Sequence, residues 1–232
     1  TAQDCLKPRQ VFDQLNSVHV SPQSLDDAFS QKLFDQVMQT SGPAGLYLNQ
    51  SEITKLSTYR NSLDELIQAN NCSFQKALKS LLETRMHAAE QALDSALQKR
   101  LDFNIPDHRL FLPTAQVTFA ANEKDQWENM VQLLKYQTLS TAYRMAQIDG
   151  STFPQLPAFE NVLDKAQEKT KRLFLKKIKS DLNELDVETS FLQALATIFD
   201  PHSAYMTLGE MEAFEEALST QRLSFGIELE ET

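Results

Sequence analysis

Glycine is scarce in this chain, with 5 in 232 residues, and proline is modest at 8. So few turn formers exclude a sandwich or barrel of many short strands joined by tight turns. They also exclude a glycine-rich phosphate loop, and no Gly-x-Ser-x-Gly elbow or His-Glu-x-x-His stretch occurs. Basic charge is in deficit: 22 Lys and Arg face 32 Asp and Glu, a net charge of −10. Phosphate backbones and anionic lipid both need a basic surface, so nucleic acid is excluded as the main partner and a basic lipid-binding patch is not expected. No run reaches the 18 or more apolar residues of a membrane span. The first ten residues, TAQDCLKPRQ, contain no apolar leader, which is also what a trimmed export signal would leave. Cysteine is limited to Cys5 and Cys72, which could pair or stay free and have no metal-ligand neighbour.

What is present is helical periodicity. Hydrophobic residues make up 41% and charged residues 23%, an ordinary balance for a globular chain. Leu25, Phe29, Leu33, Phe34, Val37 and Met38 recur at steps of three and four, with Ser24 and Asp27 suggesting a capped start. A second helix is expected from Ser51, carrying Ile53, Leu56, Leu63, Leu66 and Ile67 inward. The strongest stripe begins with Ser73 as N-cap and runs through Phe74, Ala77, Leu78, Leu81, Leu82, Ala88, Ala89, Ala92, Leu93, Ala96 and Leu97 to Leu101. Residues 102–122 read as irregular or short-stranded, followed by a helix around Trp127, Met130, Leu134 and Met145. A lysine-rich helix should turn Leu173, Phe174, Ile178 and Leu182 inward while Lys169, Lys171, Arg172, Lys176 and Lys177 form a solvated face. The next helix is expected from Thr189 to Phe199, and a last amphipathic one from Leu208 to Leu218. Leu223, Phe225, Ile227 and Leu229 then alternate with polar residues, a strand pattern. The fold class is therefore mainly α, a multi-helix domain ending in a β-strand.

Four places look chemical. Ser73 and Lys76 stand at serine–lysine spacing, but no Lys-Thr-Gly partner accompanies them and Ser73 suits a helix start. Glu83, His87 and Glu90 share a helix face, without the second Glu-x-x-His copy that a di-metal bundle uses, and read as a solvated charge cluster. His19 and His108 lack acidic or cysteine partners at ligand spacing. Asp200, His202 and Ser203 lie too close in sequence to converge as a catalytic triad. Asp200 before Pro201 instead suits a helix-ending turn, with the carboxylate accepting from backbone N–H groups two or three residues on.

The ending as a whole resembles the carboxy-terminal processing peptidases, also called tail-specific proteases. Asp200, Pro201, His202, Ser203, Tyr205 and Met206 match that family's Asp-Pro-[His/Tyr]-[Ser/Thr]-x-Tyr-[Met/Leu] segment, and Phe225, Gly226 and Ile227 match the strand that follows. The family's second glycine in that strand is Glu228 here. The stretches SLDDAFSQKLFDQVMQ and GLYLNQSEITKL are similar to the opening of the periplasmic branch. The resemblance implies a helical N-terminal domain over 1–187 and a helix-turn-helix-strand segment over 188–232. It further implies that the segment leads toward a PDZ domain and a protease core with a serine–lysine dyad. The motif residues are then structural, and no residue here is assigned to catalysis, to a cofactor or to a metal. Implied partners are the enzyme's own PDZ and protease core, protein substrates and a second copy in a homodimer, with a periplasmic location. A free-standing helical interaction protein is the alternative.

Overall fold

The long apolar stripe folds into a helix over Ser73–Ala96, about 36 Å at the α-helical rise, and the two main hydrophobic clusters of the described residues are both built on it. The computed structural model of the chain describes residues 4–40, 44–96, 99–103, 118–147 and 156–218. In chain order its α-helices are α1 (Lys7–Val18), α2 (Asp27–Thr40), α3 (Ala44–Tyr47), α4 (Gln50–Leu56), α5 (Leu63–Gln68), α6 (Ser73–Ala96), α7 (Glu123–Gln147), α8 (Leu156–Asn183), α9 (Val187–Phe199) and α10 (Leu208–Leu218). Among the described residues there is no strand, only an isolated parallel bridge between Asn49 and Ala120. The expected strand at 223–229 lies outside the described residues.

Two hydrophobic clusters share α6. The first joins Phe12 of α1, Phe29, Leu33 and Val37 of α2, Leu63 and Ile67 of α5, and Phe191, Leu195 and Phe199 of α9 to Phe74, Leu78 and Leu82 of α6. The second joins Tyr47 of α3, Met130 and Leu134 of α7, and Phe174 and Ile178 of α8 to Met86, Ala89 and Leu93 of α6. The first core includes α9, so it runs across the expected boundary at 187/188. Three phenylalanines lock its outer edge, with Phe12 5.2 Å from Phe29 and 5.6 Å from Phe199 in edge-to-face contact.

Local chemistry revises several expected boundaries. Helix α1 precedes the first stretch in which helical periodicity is expected; it is short of apolar residues, burying Pro8 and Phe12, with Val11 and Leu15 packed at the core's edge. At α2 the cap is Asp26 rather than Ser24, because the Asp26 carboxylate accepts from the Phe29 N–H at 3.0 Å. The expected helix from Ser51 to Ile67 is two helices. Between them Ser57, Thr58 and Ser62 donate hydroxyls to the carbonyls of Thr54, Lys55 and Tyr59, back-bonds that compete with a continuing helix. Asn70 then takes a left-handed φ of 51°, and the N–H of Asn71 reaches back to the Leu66 carbonyl, which closes α5 in a Schellman turn. Ser73 is the first residue of α6, not its cap, and its N–H is held by the Asn71 side chain at 2.9 Å. Leu97 is outside the described residues, and Leu101 lies beyond α6 with its N–H on Gln167 at 2.9 Å. Leu173 is exposed, not inward, and Lys171 is drawn against α6 by Asp94 at 3.0 Å. Helix α9 starts at Val187, two residues before the expected Thr189, because Asp186 caps it.

Cys5 and Cys72 form a disulfide across 67 residues of sequence, settling the alternative that their number left open. It ties the segment before α1 to the turn before α6. By the chain-entropy argument, a loop of this length loses about 4 kcal/mol of stabilisation when opened. Reduction, or replacement of both cysteines by serine, is expected to lower the thermal midpoint by several degrees and to speed hydrogen exchange in α1 first. Unchanged melting and exchange would show that packing alone holds α1.

Candidate functional site

The turn after α9 begins at its buried last residue, Phe199, which is wedged against Phe12 and Phe29. Asp200 breaks the helix by taking an extended conformation, φ −154° and ψ 130°. Its carboxylate accepts from the N–H of His202 at 2.8 Å, and its carbonyl accepts from the N–H of Ser203 at 2.9 Å. Asp200 is therefore a cap, with His202 and exposed Pro201 on the outside of the turn. No Asp–His–Ser relay can operate when the carboxylate is engaged by the His202 backbone and not its ring.

Gln193, two turns back on α9, governs what comes next. Its amide nitrogen donates to the Ser203 carbonyl at 3.3 Å, and its amide oxygen accepts from the Tyr205 N–H at 2.8 Å. One side chain thus supplies a donor and an acceptor to alternate residues, as a neighbouring strand would. The amide nitrogen is also 3.3 Å from the Thr197 hydroxyl. The segment Ser203–Tyr205 is fastened along α9 in this way. No sequence periodicity marks Gln193, since half-exposed glutamines are common on helices.

A second cap then launches α10. The N–H and hydroxyl of Thr207 both donate to Glu210 at 2.8 Å, and the Glu210 N–H returns to the Thr207 oxygen at 3.4 Å. This reciprocal box was legible as Thr-Leu-Gly-Glu at 207–210. These bonds, the backbone one foremost, hold the Glu210 carboxyl below the usual glutamate range. Asp186 caps α9 nearby. Partial burial pushes its carboxyl up, but the N–H and hydroxyl of Thr189, the N–H of Glu188 and the charge of Lys79 together hold it below the usual aspartate range. The two capping carboxylates line one groove of about 530 Å³ with Asp181 and Glu184.

Helix α10 itself buries none of its residues. Leu208, Met211, Phe214 and Leu218 are exposed, as is Met206 before it, with Phe214 50% and Leu218 68% accessible. The remaining chemical-looking residues stay apart from this turn. Ser73 is half-buried in the first turn of α6 and Lys76 is exposed. Glu83, His87 and Glu90 do share a face, where Glu90 is 3.9 Å from His87 and 3.6 Å from Lys179 in a surface charge cluster. His19 stacks its ring edge-on to Phe199 at 5.7 Å, while His108 lies outside the described residues. Phe225, Gly226 and Ile227 are also outside them, so of the motif only Asp200, Pro201, His202, Ser203, Tyr205 and Met206 are placed together.

A family model described as the tail specific protease N-terminal domain matches residues 11–208. The chain belongs to that family. The match runs from within α1 through α9 and the Asp200 turn and ends at the first residue of α10, so the Gln193-anchored turn lies at the carboxy-terminal edge of the matched region. No curated protein matches the chain. No described helix is long and apolar enough to cross a membrane.

Gln193→Ala removes both bonds to the segment after the turn, at a cost of about 1–3 kcal/mol for the polar groups left unpaired. The Tyr205 amide is expected to exchange faster by at least tenfold while amides of α2 and α6 keep their rates. Equal Tyr205 rates in the two proteins would show that the turn holds itself. Acid acts on the caps with a defined sign. Because both carboxyls are depressed in the folded chain, their stabilisation is present above the ordinary carboxylate range and is lost as pH falls through and below it. Amide exchange in the first turns of α9 and α10, referenced to an unstructured peptide, should therefore rise as pH is lowered past 4.5, Glu210's ordinary value. The same acid series on Glu210→Gln should show no such step in α10.

Proposed function

We propose that this chain is the helical N-terminal module of a C-terminal-processing serine endopeptidase, and that α10 is the surface by which it docks on the rest of that enzyme. The observation that carries this reading is the combination of a rigidly bonded turn with an unburied helix. Asp200, Gln193 and the Thr207–Glu210 box fix where α10 begins, while Leu208, Met211, Phe214 and Leu218 on it remain exposed. A helix held at one end with apolar side chains outward is suited to be covered by another body. In this reading the catalytic serine and lysine belong to a protease core beyond the module, next to a PDZ domain that captures C-terminal residues of protein substrates by strand addition. The module scaffolds that core or shapes access to it. Asp200, Pro201, His202, Ser203, Tyr205 and Met206 serve as the structural hinge block of the joint, and Phe225, Gly226 and Ile227 as the strand beyond it. A periplasmic location is in keeping with the Cys5–Cys72 disulfide, since such bonds persist in oxidising compartments. Assembly as a homodimer through the same helix is the competing use of this surface.

The test is made in the full-length enzyme. Burying one phenylalanine contributes about 1.5–3 kcal/mol, so Phe214→Ser is expected to lower peptidase activity by roughly tenfold or more while the melting of the helical domain is unchanged. Hydrogen exchange should find α10 protected in the full-length enzyme and unprotected in residues 1–232 alone. Equal protection in both, or unaltered activity in Phe214→Ser, would remove α10 from the joint. Concentration-dependent protection of the isolated chain would assign it to a dimer instead.

A further inference from the structure

Away from the Asp200 turn, three carboxylates converge where α2 meets α5. Asp27 is the first residue of α2, and Asp64 and Glu65 lie in the first turn of α5. One oxygen from each lies within 4.8 Å of those of the other two. At such distances three like charges oppose one another unless something neutralises them. No basic side chain among the described residues does so. Arg60, the nearest in sequence to the pair on α5, is committed to Asp35, with its two nitrogens at 3.1 and 2.7 Å from the carboxylate oxygens.

The second observation is burial. Asp64 is only 5% exposed, and its Oδ1 is enclosed without a hydrogen-bond partner. A carboxylate oxygen taken out of water and left unpartnered is costly, and native folds rarely keep one without a counter-charge. Asp27 and Glu65 are exposed, so the cluster is open to solvent on one side.

We propose that Asp27, Asp64 and Glu65 form a binding site for a hard divalent cation, calcium in preference to magnesium. The donor set is all oxygen and all carboxylate, which selects hard cations over zinc or copper. Calcium accepts irregular geometry and completes its shell with water, whereas magnesium demands a near-ideal octahedron. With three protein donors and two of them solvated, the affinity falls in the weak range of extracellular calcium modules, on the order of 10⁻⁴–10⁻³ M. The ion would join the start of α2 to the start of α5. Those elements are already stitched by Ser30, whose hydroxyl donates to the Arg60 carbonyl at 2.9 Å and accepts from the Leu63 N–H at 2.7 Å.

Thermal unfolding of residues 1–232 in 0–10 mM CaCl2, against NaCl matched for ionic strength, tests the site. The expected result is a saturable rise in the midpoint of roughly 3–10 °C, smaller with MgCl2. Asp27→Asn and Glu65→Gln, both at exposed positions, should fold and lose the rise. The competing solution is a proton on Asp64. In that case calcium moves nothing beyond the NaCl control and Asp64→Asn melts at or above the parent temperature, which overturns the proposal. So does a calcium response that persists undiminished in Asp27→Asn.

Discussion

Glu52 and Arg85 meet 3.1 Å apart at the waist where the two hydrophobic clusters touch, and both side chains are largely withdrawn from water. Removing one partner of such a pair strands the other charge, which is why the whole neighbourhood is organised around it. Arg85 extends to Glu123 at 3.0 Å and to Gln126 at 2.9 Å on α7. Gln126 also accepts from the Asn49 side chain at 3.3 Å and donates to the Leu46 carbonyl at 3.3 Å. Asn49 closes the circuit as the cap of α4, with its N–H on Glu52 at 3.0 Å. One polar knot thereby sets the relative placement of α4, α6 and α7. The apolar residues of α6 can then serve one core with Phe74, Leu78 and Leu82 and another with Met86, Ala89 and Leu93.

The consequence is felt at the far end of the first core. Because α6 is fixed, Phe74 packs against Phe191 at a ring distance of 6.0 Å, which seats α9. Once α9 is seated, Phe199 enters the Phe12–Phe29 pair and the Asp200 turn starts from a buried anchor. Gln193 and the Thr207–Glu210 box propagate that position to α10. The joint proposed for the protease is thus an extension of the hydrophobic core by hydrogen bonds. Its apolar outer helix is the point where the fold stops satisfying itself.

Much of this was readable from residue order where a single helix decided the matter. Phe29, Leu33, Phe34, Val37 and Met38 of the α2 stripe and Phe74, Leu78, Leu82 and Leu93 of the α6 stripe are buried as expected, because a 3.6-residue period is a local property. Ala88 of the α6 stripe is exposed, however, and the buried Met86 lay outside it. The Asp-Pro-His segment carries the family resemblance in its residue order, and the cap it forms is local, with the Asp200 carboxylate accepting from the His202 N–H and its carbonyl from the Ser203 N–H. Readings failed where the decision was made across the chain. The break between α4 and α5 combines local hydroxyl back-bonds with a hold from another helix, Ser30, 33 residues before Leu63, and only the local part lies in residue order. Leu173 fits an apolar stripe yet is exposed, because α8 turns toward α6 and α7 through Phe174 and Ile178.

Composition, periodicity and one local motif by themselves determined a mainly helical chain, a long helix starting at Ser73, the helix-ending role of Asp200 and the resemblance to the family. Those follow from turn-former scarcity, hydrophobic spacing and a local motif, none of which needs a partner segment. Only the tertiary structure decided that Cys5 meets Cys72, that Gln193 clasps the segment after the turn, and that Asp27 faces Asp64 and Glu65. Each of these joins residues that are near in space and unrelated in pattern. Their meeting depends on how helices cross, and the crossing is set by packing around α6.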